Sequence, residues 1–358
     1  HHRQGLAGVQ QVRRQLLQGL LMLASLGAST WKRLLAGAAA LVALCAGGAA
    51  WSIASASPAV VAAGHGLSLV RLQDGLLASD AFNQALPLRN LEDDYEFNGS
   101  APPGIGYAWL DTAGLHVGVR HHADLFYGWF AVPHRSFPGS SVYHVDVTRP
   151  AGNVVGATNQ GEAVFAVQTA TTPRTGLINY VVVASISSGG KTYWVVGYSH
   201  GHLANAALDT LATVQVSPDV TTESVTLRTD GARSLQVWFG HDLVYSSNSL
   251  AMHIAPPYQP YLEVQSRQVA YVSSFANYWI TSGSSLDVDG VPAGKVVALS
   301  DTSGRTVSFW PADSSGVARL PLNGPDGRGT GYIVITRGGR NIRLGPFDYS
   351  GGSRYRVQ

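Results

Sequence analysis

The chain has 358 residues, and 24 Lys and Arg against 22 Asp and Glu leave a formal net charge of +2 at pH 7. This near balance gives no support to a basic surface for nucleic acid, so no nucleic-acid partner is expected. Only 13% of residues are charged and 41 are glycine, which disfavours both a disordered chain and a helix-rich enzyme. At about 150 residues per domain, the length suggests two domains or one large sandwich with additions.

The first recognisable element is an uncharged apolar segment over residues 34–51, directly preceded by Lys32 and Arg33. Its length is near the minimum of about 18 residues for crossing a bilayer, and the leading positive charge is typical of a secretory signal or signal anchor. We therefore expect residues 1–57 to form a signal-anchor or transmembrane region and 58–65 a linker. A buried core helix is the alternative interpretation. The only cysteine, Cys45, lies in this segment, which excludes a disulfide within the chain.

Residues 66–282 consist of short β-branched and aromatic runs separated by Gly, Pro, Asn and Ser, a pattern typical of an all-β sandwich. Only 203–211 offers one or two helical turns. The predicted strands are 115–119, 142–147, 163–169, 178–186, 191–198, 224–229, 234–239, 261–266 and 271–280.

Residues 283–358 alternate again between apolar and polar side chains, with many glycine-containing turns. This length suffices for a small immunoglobulin-like or transthyretin-like β-sandwich that acts as a spacer or brace. The stretches Gly-Val-Pro-Ala-Gly at 290–294 and Asp-Ser-Ser-Gly-Val-Ala at 313–318 resemble the carboxypeptidase-regulatory type of β-sandwich.

Alternation along a strand sends successive side chains to opposite faces of the sheet, so each apolar set predicts an inward face. Leu235, Val237 and Phe239 form one such set, and Leu262 and Val264 form another. The remaining side chains combine aromatic rings with amides, imidazoles and a carboxylate, which are the groups that bind sugars. The predicted ligand-binding set is Trp194, Tyr198, His200, Trp238, Tyr261, Glu263 and Gln265. These residues could instead pack between the sheets or under the C-terminal domain.

The middle region resembles the concanavalin A-like lectin/glucanase sandwich found in laminin G-like and related exported domains. The resemblance rests on Ser79 to Ala85, Ser234 to Ser247 and Tyr261 to Ile280, where an early Asp-x-Phe accompanies a final strand ending in Phe275, Tyr278 and Trp279. It implies a two-sheet jelly roll and, commonly, carbohydrate recognition on the concave face or rim loops. It assigns no ligand, because this fold hosts lectins, hydrolases and inert spacers.

An acidic run supplies the main catalytic alternative. Glu92, Asp94 and Glu96 alternate, so on a strand their carboxylates would share a face. Retaining glucanases of the resembled fold use a Glu-x-Asp-x-Glu arrangement, and two carboxyl groups about 5 Å apart suit a retaining mechanism. A solvated acidic surface is the simpler interpretation, so no catalytic residue is assigned.

Metal and cofactor chemistry receives little support. His200 and His202 could share a metal if His144 or Asp146 supplied a third ligand, but no spacing requires this. Calcium is conceivable through Asp111, Asp242 or Asp287 by fold analogy only. No serine-nucleophile elbow, phosphate loop or dinucleotide motif occurs in the chain.

We therefore expect an exported protein, secreted or membrane-tethered on the extracellular side of the cell membrane, that binds a cell-surface or extracellular glycan or mediates adhesion. The first alternative is a structural surface or assembly subunit with protein partners and no small ligand. The second alternative is a retaining glycoside hydrolase that uses Glu92, Asp94 and Glu96.

Overall fold

The computed structural model describes residues 60–64, 66–82, 94–102, 104–122, 126–137, 141–152, 154–156, 158–169, 177–202 and 207–358. The regular structure of these residues consists of strands and one short 3-10 turn, Gly324–Gly327, which confirms the predicted all-β class. No helix in this described part has the length and apolar character needed to cross a membrane. The apolar segment 34–51, predicted as a signal anchor, lies outside the described residues.

The strands in the first part of the chain are β1 (Val60–Gly64), β2 (Leu67–Gln73), β3 (Leu76–Asp80), β4 (Tyr95–Gly99), β5 (Gly106–Asp111), β6 (Gly114–Val119), β7 (Phe126–Pro133), β8 (Ser141–Thr148), β9 (Gln160–Thr169), β10 (Leu177–Ser188), β11 (Lys191–His202) and β12 (Ala207–Val216). The following strands are β13 (Thr222–Thr229), β14 (Leu235–Phe239), β15 (Asp242–Ser247), β16 (Tyr258–Arg267), β17 (Tyr271–Thr281), β18 (Ser285–Asp289), β19 (Val296–Asp301), β20 (Thr306–Pro311), β21 (Val317–Pro321), β22 (Arg328–Arg337), β23 (Arg340–Ser350) and β24 (Arg354–Val357).

Strands β3 to β17 build the first sandwich from two antiparallel sheets. The seven-stranded sheet has the order β12-β11-β10-β9-β16-β7-β4. The eight-stranded sheet has the order β15-β14-β13-β8-β17-β6-β5, and β3 also pairs with β17. Every strand predicted from the sequence lies in one of these two sheets. Residues 207–211 belong to strand β12, so the expected helical turns are wrong for this stretch.

The core of the first sandwich lies between the two sheets, and alternation decides which side chains enter it. Leu235, Val237 and Phe239 of β14 and Leu262 and Val264 of β16 are buried there, as predicted. Each Cβ on a strand points opposite to its neighbours, so the residues between them project from the outer faces. Burial of such apolar rows supplies the main driving force for joining the sheets.

The second sandwich pairs a four-stranded sheet, β20-β19-β22-β23, with a five-stranded sheet, β1-β2-β24-β18-β21. Strand β2 joins this sandwich from the far end of the chain by antiparallel pairing with β24, where Leu69 lies opposite Val357. The predicted range 66–282 therefore contains one strand of the second sandwich, and the predicted linker 58–65 contains β1. The first sandwich is inserted between β2 and β18 of the second. The immunoglobulin-like character of the second sandwich stays a prediction.

Candidate functional site

The predicted ligand-binding residues do not share one surface. Trp194 and Tyr198 lie on the inner face of β11, and both are buried in the core between the sheets. The Trp194 ring packs 5.3 Å from the ring of Phe239 in the opposite sheet. Tyr198 donates a hydrogen bond to Asn179 Oδ1 at 2.9 Å and accepts one from the His253 backbone at 3.0 Å. These two residues are placed to stabilise the core, in contrast to the predicted role in ligand contact.

Trp238 lies on the outer face of the eight-stranded sheet, as its alternation with Val237 predicted, but the second sandwich covers it. A Cβ at Gly324, in the 3-10 turn, would lie 3.5 Å from the Trp238 side chain. The indole is only 5% exposed. Trp238 therefore belongs to the contact between the two sandwiches and does not line an open groove.

His200 shares a face with Trp194 and Tyr198 but lies at the rim, where its side chain is partly exposed. Its Nε2 is 3.0 Å from Asp209 Oδ2, and its ring stacks on Tyr198 at 5.2 Å. An exposed pair of this kind contributes little to stability. His200 is also separated from the remaining predicted residues by the thickness of the sheet.

Tyr261, Glu263 and Gln265 project together from β16 on the outer face of the seven-stranded sheet. We call this surface the outer face; its central residues are Gln160, Glu162, Tyr261, Glu263 and Gln265 on β9 and β16, with rings of Phe130, Tyr180 and Tyr193 around them. The structure adds Gln160 and Glu162, which the sequence analysis did not select. Their alternation with the inward-facing Ala163 and Phe165 is the sequence signal that could have found them.

The strand register defines the geometry of the polar centre. Gln265 lies directly opposite Glu162, and Glu263 lies opposite Val164, so the two glutamates are diagonal neighbours. Diagonal pairs across antiparallel strands are about 7 Å apart, within reach of one ligand. Gly128 on the neighbouring strand leaves room for Glu263, because a Cβ there would lie 2.5 Å from Glu263 Oε1.

Burial controls the protonation of the two glutamates. Desolvation raises the pKa of Glu263 to about 8, against a smaller opposing effect from its hydrogen bond with Gln265. Desolvation also raises the pKa of Glu162 to about 7, although Gln160 donates a hydrogen bond to its carboxyl group. Glu162 and Glu263 are 3% and 5% exposed. Near neutral pH both carboxyl groups can therefore carry a proton and act as donors as well as acceptors.

Aromatic rings extend from this polar centre across the sheet. The Tyr261 ring lies 6.0 Å from Phe130 and 6.1 Å from Tyr180. Tyr180 meets Tyr261 across β9 because the intervening outward residue is the small Ala166, which pairs directly with Tyr261. Phe130 and Tyr180 are half-buried. The arrangement offers ring surface next to hydrogen-bonding groups, the combination that sites for sugars use.

Apolar side chains also occupy much of the outer face. Val132, Val164, Val182, Ala184 and Val195 form one buried cluster with Tyr261 on this side of the sheet. Apolar burial on an outward face is typical of a surface that contacts another layer. The same observation therefore also fits the structural alternative.

Of the acidic run that supplies the catalytic alternative, only Asp94 and Glu96 lie among the described residues. Glu92 lies outside them. Asp94 is exposed, and Glu96 lies on β4, the edge strand of the seven-stranded sheet, where it accepts a 2.7 Å hydrogen bond from Asn98. Glu96 is a solvated carboxylate, the simpler of the two interpretations.

The histidine hypothesis for a metal site also fails in the described part of the chain. His144 belongs to β8 of the eight-stranded sheet and His200 to the opposite sheet. His144 contacts Thr226 Oγ1 at 2.8 Å and stacks on Trp279 at 4.6 Å. No group of three metal-binding side chains occurs among the described residues. Asp111, a calcium candidate, lies 2.9 Å from His116 Nε2.

No protein-family model and no curated protein matches this chain. Among solved structures, LamAcat of Zobellia galactanivorans matches with 11% identity and a TM-score of 0.42, over 58% of this chain and 97% of that chain. The Bacillus licheniformis β-glucanase matches with 11% identity and a TM-score of 0.37, over 59% of this chain and 99% of its own. A Bacillus subtilis protein of unknown function with a galectin-like fold matches with 9% identity and a TM-score of 0.39, over 59% of this chain and 98% of its own.

All three matches have identities of 9 to 11% and cover less than two thirds of this chain. With such low identity and TM-scores below 0.5, they carry no argument about activity or ligand. The function therefore has to be argued from the outer face of this chain itself.

Proposed function

We propose that this protein binds a carbohydrate chain on the outer face of the seven-stranded sheet. The observation that supports the proposal is the pair of buried carboxyl groups, Glu162 and Glu263, each beside a glutamine on its own strand. Burial of a carboxyl group costs free energy. The two carboxyl groups do not contribute to packing of the core, because the core lies on the opposite face of the sheet. Groups with such raised pKa values are common at functional sites.

Each group has a defined role in this proposal. Tyr261, Phe130 and Tyr180 supply ring faces or edges for the apolar C–H surfaces of sugar rings. Glu263 and Gln265 exchange hydrogen bonds with sugar hydroxyls, which both donate and accept. At pH 7 Glu263 is mostly protonated and Glu162 is about half protonated, and the five central residues include no cation, so a neutral glycan is favoured over an anionic one.

A glycan array probed with the full chain tests the proposal. We expect binding to neutral glycans that falls by about tenfold or more in Glu263→Ala and Tyr261→Ala, since each substitution removes a hydrogen bond to the ligand or a stacking ring. His200→Ala is the matched control, because this residue lies at the rim of the opposite face and should leave binding unchanged. Absence of binding to every glycan would overturn the proposal.

An assembly subunit is the second candidate function, and the apolar cluster around Val164 and Val195 favours it. In that case the outer face packs against a protein partner. Light scattering over a hundredfold range of protein concentration should then show concentration-dependent oligomers. A Val195→Asp substitution should abolish these oligomers, whereas a strictly monomeric protein would contradict this alternative.

We also propose, from the apolar segment 34–51 alone, that the protein is exported and tethered to the outside of the cell membrane. The test is fractionation of cells that produce the full chain, followed by treatment of intact cells with an added protease. We expect membrane association and digestion from outside. Replacing Leu41 and Leu44 with arginine should abolish both, and unchanged behaviour of this variant would contradict the proposal.

A further inference from the structure

A polar cleft of about 470 Å³ lies between the two sandwiches, separate from the outer face. Strands β3 and β17 form the wall that belongs to the first sandwich. Strands β2, β22 and β23 and the 3-10 turn form the wall that belongs to the second. Asn277 and Trp279 face Arg328, Thr330 and Asp348 across this opening.

The junction beside the cleft is held by close backbone packing. The chain crosses between the sandwiches at Gly75 and again at Gly283. A Cβ at Gly75 would overlap the carbonyl oxygen of Gly351, and a Cβ at Gly351 would overlap that of Gly283. Ser282 N donates to Gly75 O at 2.7 Å. Only glycine permits this approach, which fixes the two crossings against each other.

A second contact holds the sandwiches together on another side of the cleft. Gly327 of the 3-10 turn lies directly on the Trp279 indole, where an added Cβ would come within 2.5 Å of the ring. The neighbouring Asp326 lies 3.3 Å from His241 Nδ1 of the first sandwich. Two separate attachments restrict hinge motion, so the cleft has a set width and a ligand would meet a preorganised site.

The lining has two buried aromatic side chains at its base and exposed polar side chains above them. Trp279 and Tyr349 are buried below, while Arg328, Thr330, Asp348 and Asn277 are exposed above. Thr330 donates to Asp348 Oδ1 at 2.6 Å, which leaves Oδ2 as an acceptor. Arg328 forms no ion pair with any other described residue. A guanidinium and a carboxylate oxygen are thus both available to a ligand.

We propose that this cleft is a binding site for a small neutral polyol, such as a monosaccharide or disaccharide. Arg71 and Asp74 neutralise each other at 3.3 Å, and Asp348 and Arg328 contribute one further charge of each sign to the lining. These two pairs of charges leave no excess of positive charge that would favour an anionic ligand. Hydroxyl groups suit this lining best, because they donate to Asp348 and accept from Arg328 at the same time.

Binding of glucose, maltose and glucuronate to the full chain tests this site. Isothermal titration calorimetry measures the affinity, and tryptophan fluorescence, which reports on Trp279, is a second measurement. We expect at least one of the two neutral sugars to bind more tightly than glucuronate. Asp348→Asn and Arg328→Gln should each weaken binding by about tenfold, because each removes a hydrogen bond that involves a charged group. Arg343→Gln is the control, since Arg343 stacks on Tyr332 away from the cleft lining.

The outer face and the cleft are distinguished by a crossed comparison. Glu263→Ala should leave cleft binding unchanged, and Asp348→Asn should leave binding to the outer face unchanged. The cleft proposal would be overturned if neither neutral sugar bound at concentrations up to about 10 mM, the range expected of a weak millimolar site. Sugar binding that Asp348→Asn and Arg328→Gln leave intact would overturn it as well.

Discussion

Replacement of Glu263 by glutamine should make the folded protein less sensitive to alkaline pH. Burial raises the pKa of Glu263 to about 8, whereas an unfolded glutamate titrates near its usual value of 4.5. The folded state therefore keeps a proton that the unfolded state releases. The stabilisation from this group is complete below about pH 4.5 and is lost progressively as pH rises to about 8.

The magnitude follows from the shift in pKa. Each pKa unit corresponds to about 1.4 kcal/mol, so Glu263 accounts for a loss of roughly 3 to 5 kcal/mol in the free energy of unfolding across this interval. Glu162, with a pKa raised to about 7, adds a loss of the same sign. Asp230 and Asp301, whose pKa values are lowered to about 2 by hydrogen bonds, lose their stabilising effect only below about pH 4.

Urea denaturation of the wild-type protein and the Glu263→Gln variant at pH 5, 7 and 9 measures this effect. Because glutamine resembles the protonated acid, we expect similar stability at pH 5 and a variant more stable than the wild type by a few kcal/mol at pH 9. Glu96→Gln, at the exposed edge strand, is the control and should follow the wild type. The reasoning would be refuted if the wild type were equally stable at pH 5 and pH 9. It would also be refuted if the variant lost as much free energy of unfolding between these pH values as the wild type.

Three further substitutions, the first with an exposed control, test the packing. Trp194→Ala should cost about 3 to 5 kcal/mol in the free energy of unfolding, because it empties a core site, whereas the exposed Leu243→Ala should cost under about 1 kcal/mol. Gly327→Ala should lower the melting temperature by several degrees, since its Cβ would meet the Trp279 ring; an unchanged melting temperature would contradict the described contact. Arg149→Met should cost about 3 kcal/mol or more in urea denaturation, because buried Arg149 donates to five backbone carbonyls, and a neutral effect would show that these bonds are dispensable.

The strands and their faces could be predicted because the relevant signal is local. Leu235, Val237 and Phe239 alternate with polar or mixed neighbours, and this period of two indicates a half-buried strand. The same pattern placed Tyr261, Glu263 and Gln265 on one face of β16. No tertiary information is needed for either conclusion, since pleating alone separates the two sets.

The choice of the inner face on β11 could not be predicted in the same way. Trp194 and Val196 alternate with Tyr193 and Val195, so both faces of this strand are apolar. The Trp194 ring enters the core, where it packs against Phe239 of the opposite sheet. Trp238 faces outward, as predicted, but Gly324 from a distant part of the chain packs over its side chain.

The amino-acid sequence by itself determined the all-β class, the strands and the shared face of Tyr261, Glu263 and Gln265, because hydrophobic alternation acts over a few residues. Tertiary structure alone decided that Glu162 joins Glu263, that Trp194 and Trp238 are buried, and that β2 completes the second sandwich through β24. These features depend on strand register and contacts between distant segments. Such pairings are selected by the burial of whole sheets, and no local pattern specifies which distant strand will be the partner.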